Sequence, residues 1–90
     1  MPTRSFTVTG VVQGVGFRWY VLKLARRLGV RGSVWNSPDG SVRGLACHDD
    51  PATLDSFLAE LKAGPGRVDS VLAAESYENV SWPDYRIESG

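Results

Sequence analysis

The chain has a single cysteine, Cys47, so no disulfide can form within it, and a reducing compartment is expected. No basic segment followed by an apolar run stands behind Met1. No apolar stretch approaches the roughly 20 residues needed to span a bilayer. A cytoplasmic protein without membrane association is the expectation. Asn79-Val80-Ser81 matches a glycosylation sequon, read as a chance match in a chain with no secretory signal. Low-complexity runs and internal repeats are missing as well, so the composition is that of a globular domain. Ninety residues suffice for one hydrophobic core but not for a catalytic domain plus a regulator, so residues 1–90 are read as one domain.

Net charge is zero, yet its halves differ. Seven basic residues (Arg4, Arg18, Lys23, Arg26, Arg27, Arg31 and Arg43) stand against Asp39 alone in residues 1–45. In residues 46–90, nine acids outnumber Lys62, Arg67 and Arg86. Such asymmetry fits a positive lobe that attracts an anion, or two solvated faces. Charge alone favours the second.

Periodicity supplies the elements. Phe6 to Val12 alternates as a strand, with Phe6, Val8 and Val12 on one side and Gly10 among them. Phe17, Val21, Leu24, Ala25 and Leu28 recur at helical spacing, and Gly29 fits the stop. Gly32 to Asn36 reads as a second strand, Ser37-Pro38-Asp39-Gly40 as a turn, and Ser41 to Cys47 as a third strand. Asp50 is placed to cap a second helix that opens on Pro51 and buries Leu54, Phe57, Leu58 and Leu61 before Gly64-Pro65 stops it. Arg67 to Ala74 forms a fourth strand, and Tyr85 to Ile87 a short fifth after a Trp82-Pro83 loop. This β-α-β-β-α-β order predicts an α+β, ferredoxin-like sandwich. Its mostly antiparallel sheet has core strand order 4-1-3-2, with both helices on one face. In that plan the first and second strands run parallel with the third between them. The loop Gln13–Arg18 and Asn36 therefore leave the sheet at the same edge and should be neighbours.

That loop closes the stretch VTGVVQGVGFR, Val8 to Arg18. It is not a dinucleotide fingerprint, because Trp19 occupies the third glycine's place, and it lacks the Gly-Lys-Ser/Thr ending of a P-loop. What survives is the physics behind both. Backbone N–H groups freed by glycine at a helix start form a nest for an anion, and an arginine fork can grip two phosphate oxygens. A loop of about six residues at a helix start suits one phosphoryl group. A plain strand-to-helix turn ending in an exposed arginine accounts for the spacing equally well.

The stretch resembles the first signature of the acylphosphatases, an aliphatic residue followed by x-G-x-V-Q-G-V-x-F-R, met by Val8, Gly10, Val12, Gln13, Gly14, Val15, Phe17 and Arg18. Gly32, Val34, Asn36, Gly40 and Val42 meet the second signature at the family's spacing, with Ala25, Leu28 and Gly29 ahead of it. Ser33 stands where the family usually has an aromatic residue, with Trp35 two positions on. His48-Asp49 replaces a closing glycine. The resemblance implies hydrolysis of the carboxyl–phosphate bond of acyl phosphates without metal or cofactor. By position it implies that Arg18 binds the phosphoryl group together with the backbone amides of Val15, Gly16, Phe17 and Arg18. It also implies that Asn36 orients the attacking water. The partners it implies are a small acyl phosphate and inorganic phosphate, with no nucleic acid and no membrane, for a monomer.

Other residues draw milder expectations. Cys47 lacks a paired base and reads as a packed thiol, His48 as ordinary packing, and His48, Asp49 and Asp50 are not a metal set of recognised spacing. Trp19, Tyr20 and Trp35 read as packing or surface aromatics. An RNA-recognition module shares the element order, but its base-stacking aromatics would fall on Leu45 and Cys47. A non-catalytic anion-binding or regulatory module with the same loop is the remaining alternative.

Overall fold

The computed structural model of the chain describes residues 2–80 and 83–89. Trp82 of the expected loop and Ser81 of the sequon lie outside them. Five strands and two helices follow in the order β1 (Thr3–Val11), α1 (Phe17–Leu28), β2 (Arg31–Asn36), β3 (Val42–Cys47), α2 (Pro51–Glu60), β4 (Arg67–Glu75) and β5 (Tyr85–Ile87), with a 3-10 turn at Leu61–Ala63. The sheet order is β4-β1-β3-β2-β5, the ferredoxin-like plan with a fifth strand beside β2. β5 pairs parallel to β2, whereas the other neighbours are antiparallel.

The core lies between one sheet face and the helices. Phe6 and Val8 of β1, Val34 of β2, and Val42 and Ala46 of β3 are buried with Phe17, Val21, Leu24 and Ala25 of α1 and with Leu54 and Phe57 of α2. Alternation along each strand supplies this face, and i, i+3, i+4 spacing supplies the helical stripes. Phe57 meets Phe6 edge-on at 5.8 Å between ring centres and tilts against Tyr85 at 6.0 Å. Leu58 is only half-buried, so the α2 stripe is narrower than its sequence suggested. Tyr85 is buried with its hydroxyl donating to the Ser33 carbonyl at 3.0 Å, and burial pushes its phenol pKa up.

β1 starts at Thr3 rather than Phe6, because as a central strand it pairs on both sides. Thr3 lies opposite Cys47 of β3, and Arg4 opposite Glu75 of β4. Its far end is interrupted by a bulge between Thr9 and Gly10. Gly10 has φ +129°, and a Cβ there would stand 2.0 Å from the Arg67 carbonyl oxygen, so no other residue fits. Val12 lies past the end of β1 and is still buried. The chain therefore enters the following loop anchored.

The helix ends follow their chemistry. Gly29 closes α1 in the left-handed conformation at φ 72°. At α2 the Asp50 side chain accepts from the Ala52 amide at 3.0 Å, with proline at the first helical position. Asp50→Ala is expected to cost about 1 kcal/mol of stability. Urea unfolding should show a lower midpoint at unchanged slope. An unchanged midpoint would show that the Asp50 cap contributes nothing to stability.

Candidate active site

The site forms where β1 passes into α1. Gly14 and Gly16 adopt φ of 76° and 82°, and a Cβ would meet nothing within 4 Å at either. Glycine is needed there for backbone conformation, not for room. Gly16 is also the N-cap of α1 and offers no side chain, so the first amides of the helix have no side-chain cap. A helix start built this way presents N–H groups and the positive end of a dipole to whatever sits before it. Phe17, buried and tilted against Tyr20 at 6.0 Å, roots this first turn in the core.

Arg18 follows at once, half-buried on the first turn. Its Nη1 lies 3.5 Å from the backbone carbonyl of Glu88, just past β5, and no carboxylate pairs with it among the described residues. By contrast Arg4, Arg27, Arg43, Arg67 and Arg86 each hold an acid. Two of these pairs, Arg4–Asp55 and Arg27–Glu60, join the basic first half of the chain to the acidic second half. Arg18 thus lines the cleft as a cation with no carboxylate partner among the described residues.

Asn36 ends β2 opposite Val42 of β3. As strand order requires, it arrives beside the loop: Val12, Gly14, Gly16, Phe17, Arg18, Trp19 and Asn36 line one cleft of about 180 Å³. Asn36 Oδ1 is buried and has no hydrogen-bond partner among the described residues. Buried acceptors are nearly always satisfied, so such an atom calls for a donor from solvent or ligand. A hollow of about 360 Å³ at the opposite end of the sheet is larger, but its cation, Arg4, is already paired with Asp55 at 2.8 Å.

Of the residues singled out from sequence, Gly16, Phe17, Arg18 and Asn36 thus meet at one cleft. Val15 does not line it, and its side chain packs against the core. Trp19 is 61% exposed, a surface aromatic that also lines the cleft. His48 accepts from the Asp50 amide through Nδ1 at 2.9 Å, beside the α2 cap and away from the cleft. Cys47 is buried, with the Arg31 guanidinium 4.0 Å from its sulfur. Leu45 is buried too, so neither position where an RNA module would need an aromatic offers an exposed face. Among the described residues, no three His, Cys, Asp or Glu are grouped to hold a metal ion, and no helix is long and apolar enough to cross a membrane.

The sequence assigns Gln13 no role beyond its place in the signature. Its Nε2 donates to the carbonyls of Ser37 and Ser41, at 2.7 and 2.9 Å. Only local turn chemistry was visible at those two residues from sequence.

A model of the acylphosphatase family matches residues 4–87. The chain belongs to the acylphosphatase family of enzymes. The acylphosphatase of Latilactobacillus sakei is 52% identical over 68 residues, 72% of this chain and 73% of its own. That of Actinobacillus succinogenes is 40% identical over 90 residues, 98% of this chain and 99% of its own. The crystal structure of acylphosphatase from Bacillus subtilis superposes with a TM-score of 0.89 at 32% identity, covering 98% of this chain and 99% of that one. The acylphosphatase fold therefore extends over the whole described chain, cleft included.

Proposed function

We propose that this acylphosphatase hydrolyses the carboxyl–phosphate bond of small acyl phosphates by attack of water at phosphorus. The observation that carries the reading is that Asn36 Oδ1, buried and without a hydrogen-bond partner among the described residues, shares a cleft with Arg18, which pairs with no carboxylate among them. The amides of Val15 to Arg18 and the Arg18 fork hold the phosphoryl oxygens, and Asn36 Oδ1 accepts a hydrogen bond from the water, fixing its line of approach. The water oxygen bonds to phosphorus while the bond from phosphorus to the acyl oxygen breaks. Its electron pair leaves with the carboxylate. None of the described residues lining the cleft is a base, and the water's proton passes to a phosphoryl oxygen of the substrate itself.

This division suits the chemistry. Phosphoryl transfer through a loose transition state asks mainly for positioning and for charge to meet the equatorial oxygens. A carboxylate leaves readily, so no strong general acid is needed. The protein works as a cytoplasmic monomer on a small molecule, with no nucleic-acid partner and no cofactor.

The test is hydrolysis of benzoyl phosphate by the purified protein in excess chelator. Release of benzoate and inorganic phosphate at an undiminished rate is expected, because guanidinium and amides supply the charge. Activity abolished by chelator and restored by a divalent ion would overturn the metal-free mechanism. Phosphate binding without turnover would point to an inert anion-binding module.

A further inference from the structure

The cleft has two halves that belong to different parts of the fold. The glycine loop hangs from β1 and α1, whereas Asn36 is the last residue of β2, where the chain leaves for the turn to β3. Asn36 Oδ1 has no hydrogen-bond partner among the described residues, so its aim depends on how that turn is seated.

The turn is well formed by itself. The Ser37 amide donates to the Ser41 carbonyl at 2.8 Å, and the Gly40 amide donates to the Ser37 carbonyl at 3.1 Å. Asp39 accepts from the Ser41 amide at 2.9 Å, from the Ser41 hydroxyl, and from Arg43 at 3.0 Å. Those bonds, the Ser41 hydroxyl first, hold the Asp39 carboxyl well below the ordinary carboxylate range. Each of the Ser37 and Ser41 carbonyls has thus used one lone pair inside the turn. Gln13 fills the second lone pair on both. Its Nε2 has two protons and two carbonyl acceptors, reached across 24 and 28 residues of chain. Only nitrogen can face two carbonyls, so the orientation of the amide is settled by chemistry.

We propose that Gln13 is a positioning residue that clamps the β2–β3 turn to the glycine loop and so sets the place of Asn36 against the phosphoryl cradle. The clamp is one residue from the cleft on each side: Gln13 precedes Gly14, and Ser37 follows Asn36. Since the turn closes without it, the amide is not needed to form either half. It sets their spacing. The inference rests on the water-orienting role of Asn36, because what the clamp positions is the water.

Three variants test it: Gln13→Met, of similar length without donors, Asn36→Ala, and the double variant. Gln13→Met is expected to lower kcat roughly tenfold, a fraction of the 10²-fold that a 1 Å misplacement can cost. Competitive inhibition by inorganic phosphate should stay within about twofold, since a positioning defect spares the cradle. In the Asn36→Ala background the same change should cost nothing further, because residues acting through one another are non-additive. Gln13→Glu, which keeps the shape but turns an oxygen toward each carbonyl, should not rescue.

A full tenfold loss on top of Asn36→Ala, or phosphate affinity falling in parallel with kcat, would overturn the clamp and leave the water-orienting reading intact. Full activity in Asn36→Ala would overturn both. Should Gln13→Met fail to fold, the wild-type chain still decides, because Gln13 is its only glutamine. Its side-chain amide protons should give two distinct, slowly exchanging proton signals in NMR. Free rotation and fast exchange would overturn the clamp.

Discussion

Arg18→Ala is expected to lower kcat/KM roughly 10³-fold and to abolish measurable competition by inorganic phosphate. Arg18 is half-buried at the start of α1, its guanidinium placed near the Glu88 carbonyl and held by no acid among the described residues. A fork so placed can make two charge-assisted hydrogen bonds to one phosphoryl group, each contributing on the order of 1.5–3 kcal/mol. Those bonds hold the bound phosphoryl group and strengthen as charge builds on its equatorial oxygens in the transition state, so binding and turnover fall together. Arg18→Lys should recover little, because a point charge on a flexible stem does not reproduce the fork. Near-normal inhibition by phosphate in Arg18→Ala would show that the anion sits elsewhere.

Asn36→Ala is expected to behave differently. If Asn36 holds only the water, turnover should drop by roughly 10²-fold, the scale of losing one transition-state positioning group. Phosphate affinity should barely move, since the loop amides and Arg18 remain. The fold should persist, because Asn36 lies at a strand end and its truncation removes an unsatisfied buried acceptor without opening a core cavity. Calorimetry with inorganic phosphate on the folded variant checks this. Equal loss of binding and rate would return Asn36 to the cradle and leave the water without a guide.

The elements were legible wherever one face meets a core. The bounds of α1 follow from Phe17, Val21, Leu24, Ala25 and Leu28 with Gly29 behind them, and the observed helix spans Phe17–Leu28. The meeting of Asn36 with the glycine loop was also readable, because strand order alone brings two parallel strand ends to one edge. Less visible was whatever depends on partners distant in sequence. Thr3 to Ser5 carry no apolar signal and become strand because β3 and β4 flank them. The position of β5 beside β2, parallel to it, follows from pairing of Gly32 with Tyr85, which no local period encodes. At the site, residue types and spacing pointed to an anion nest with Arg18, whereas the water-orienting role of Asn36 was implied only by the resemblance to the acylphosphatases. Gln13 was silent because its partners are backbone carbonyls, and any residue has those.

In the proposed reaction water attacks phosphorus while the cradle holds the phosphoryl group. Hydrolysis of benzoyl phosphate in water enriched in oxygen-18, followed by mass spectrometry of both products, shows which bond breaks. One labelled oxygen in the inorganic phosphate and none in the benzoate is the predicted result. Label in the benzoate would mean attack at the acyl carbon, and would contradict the roles assigned to Arg18, the loop amides and Asn36.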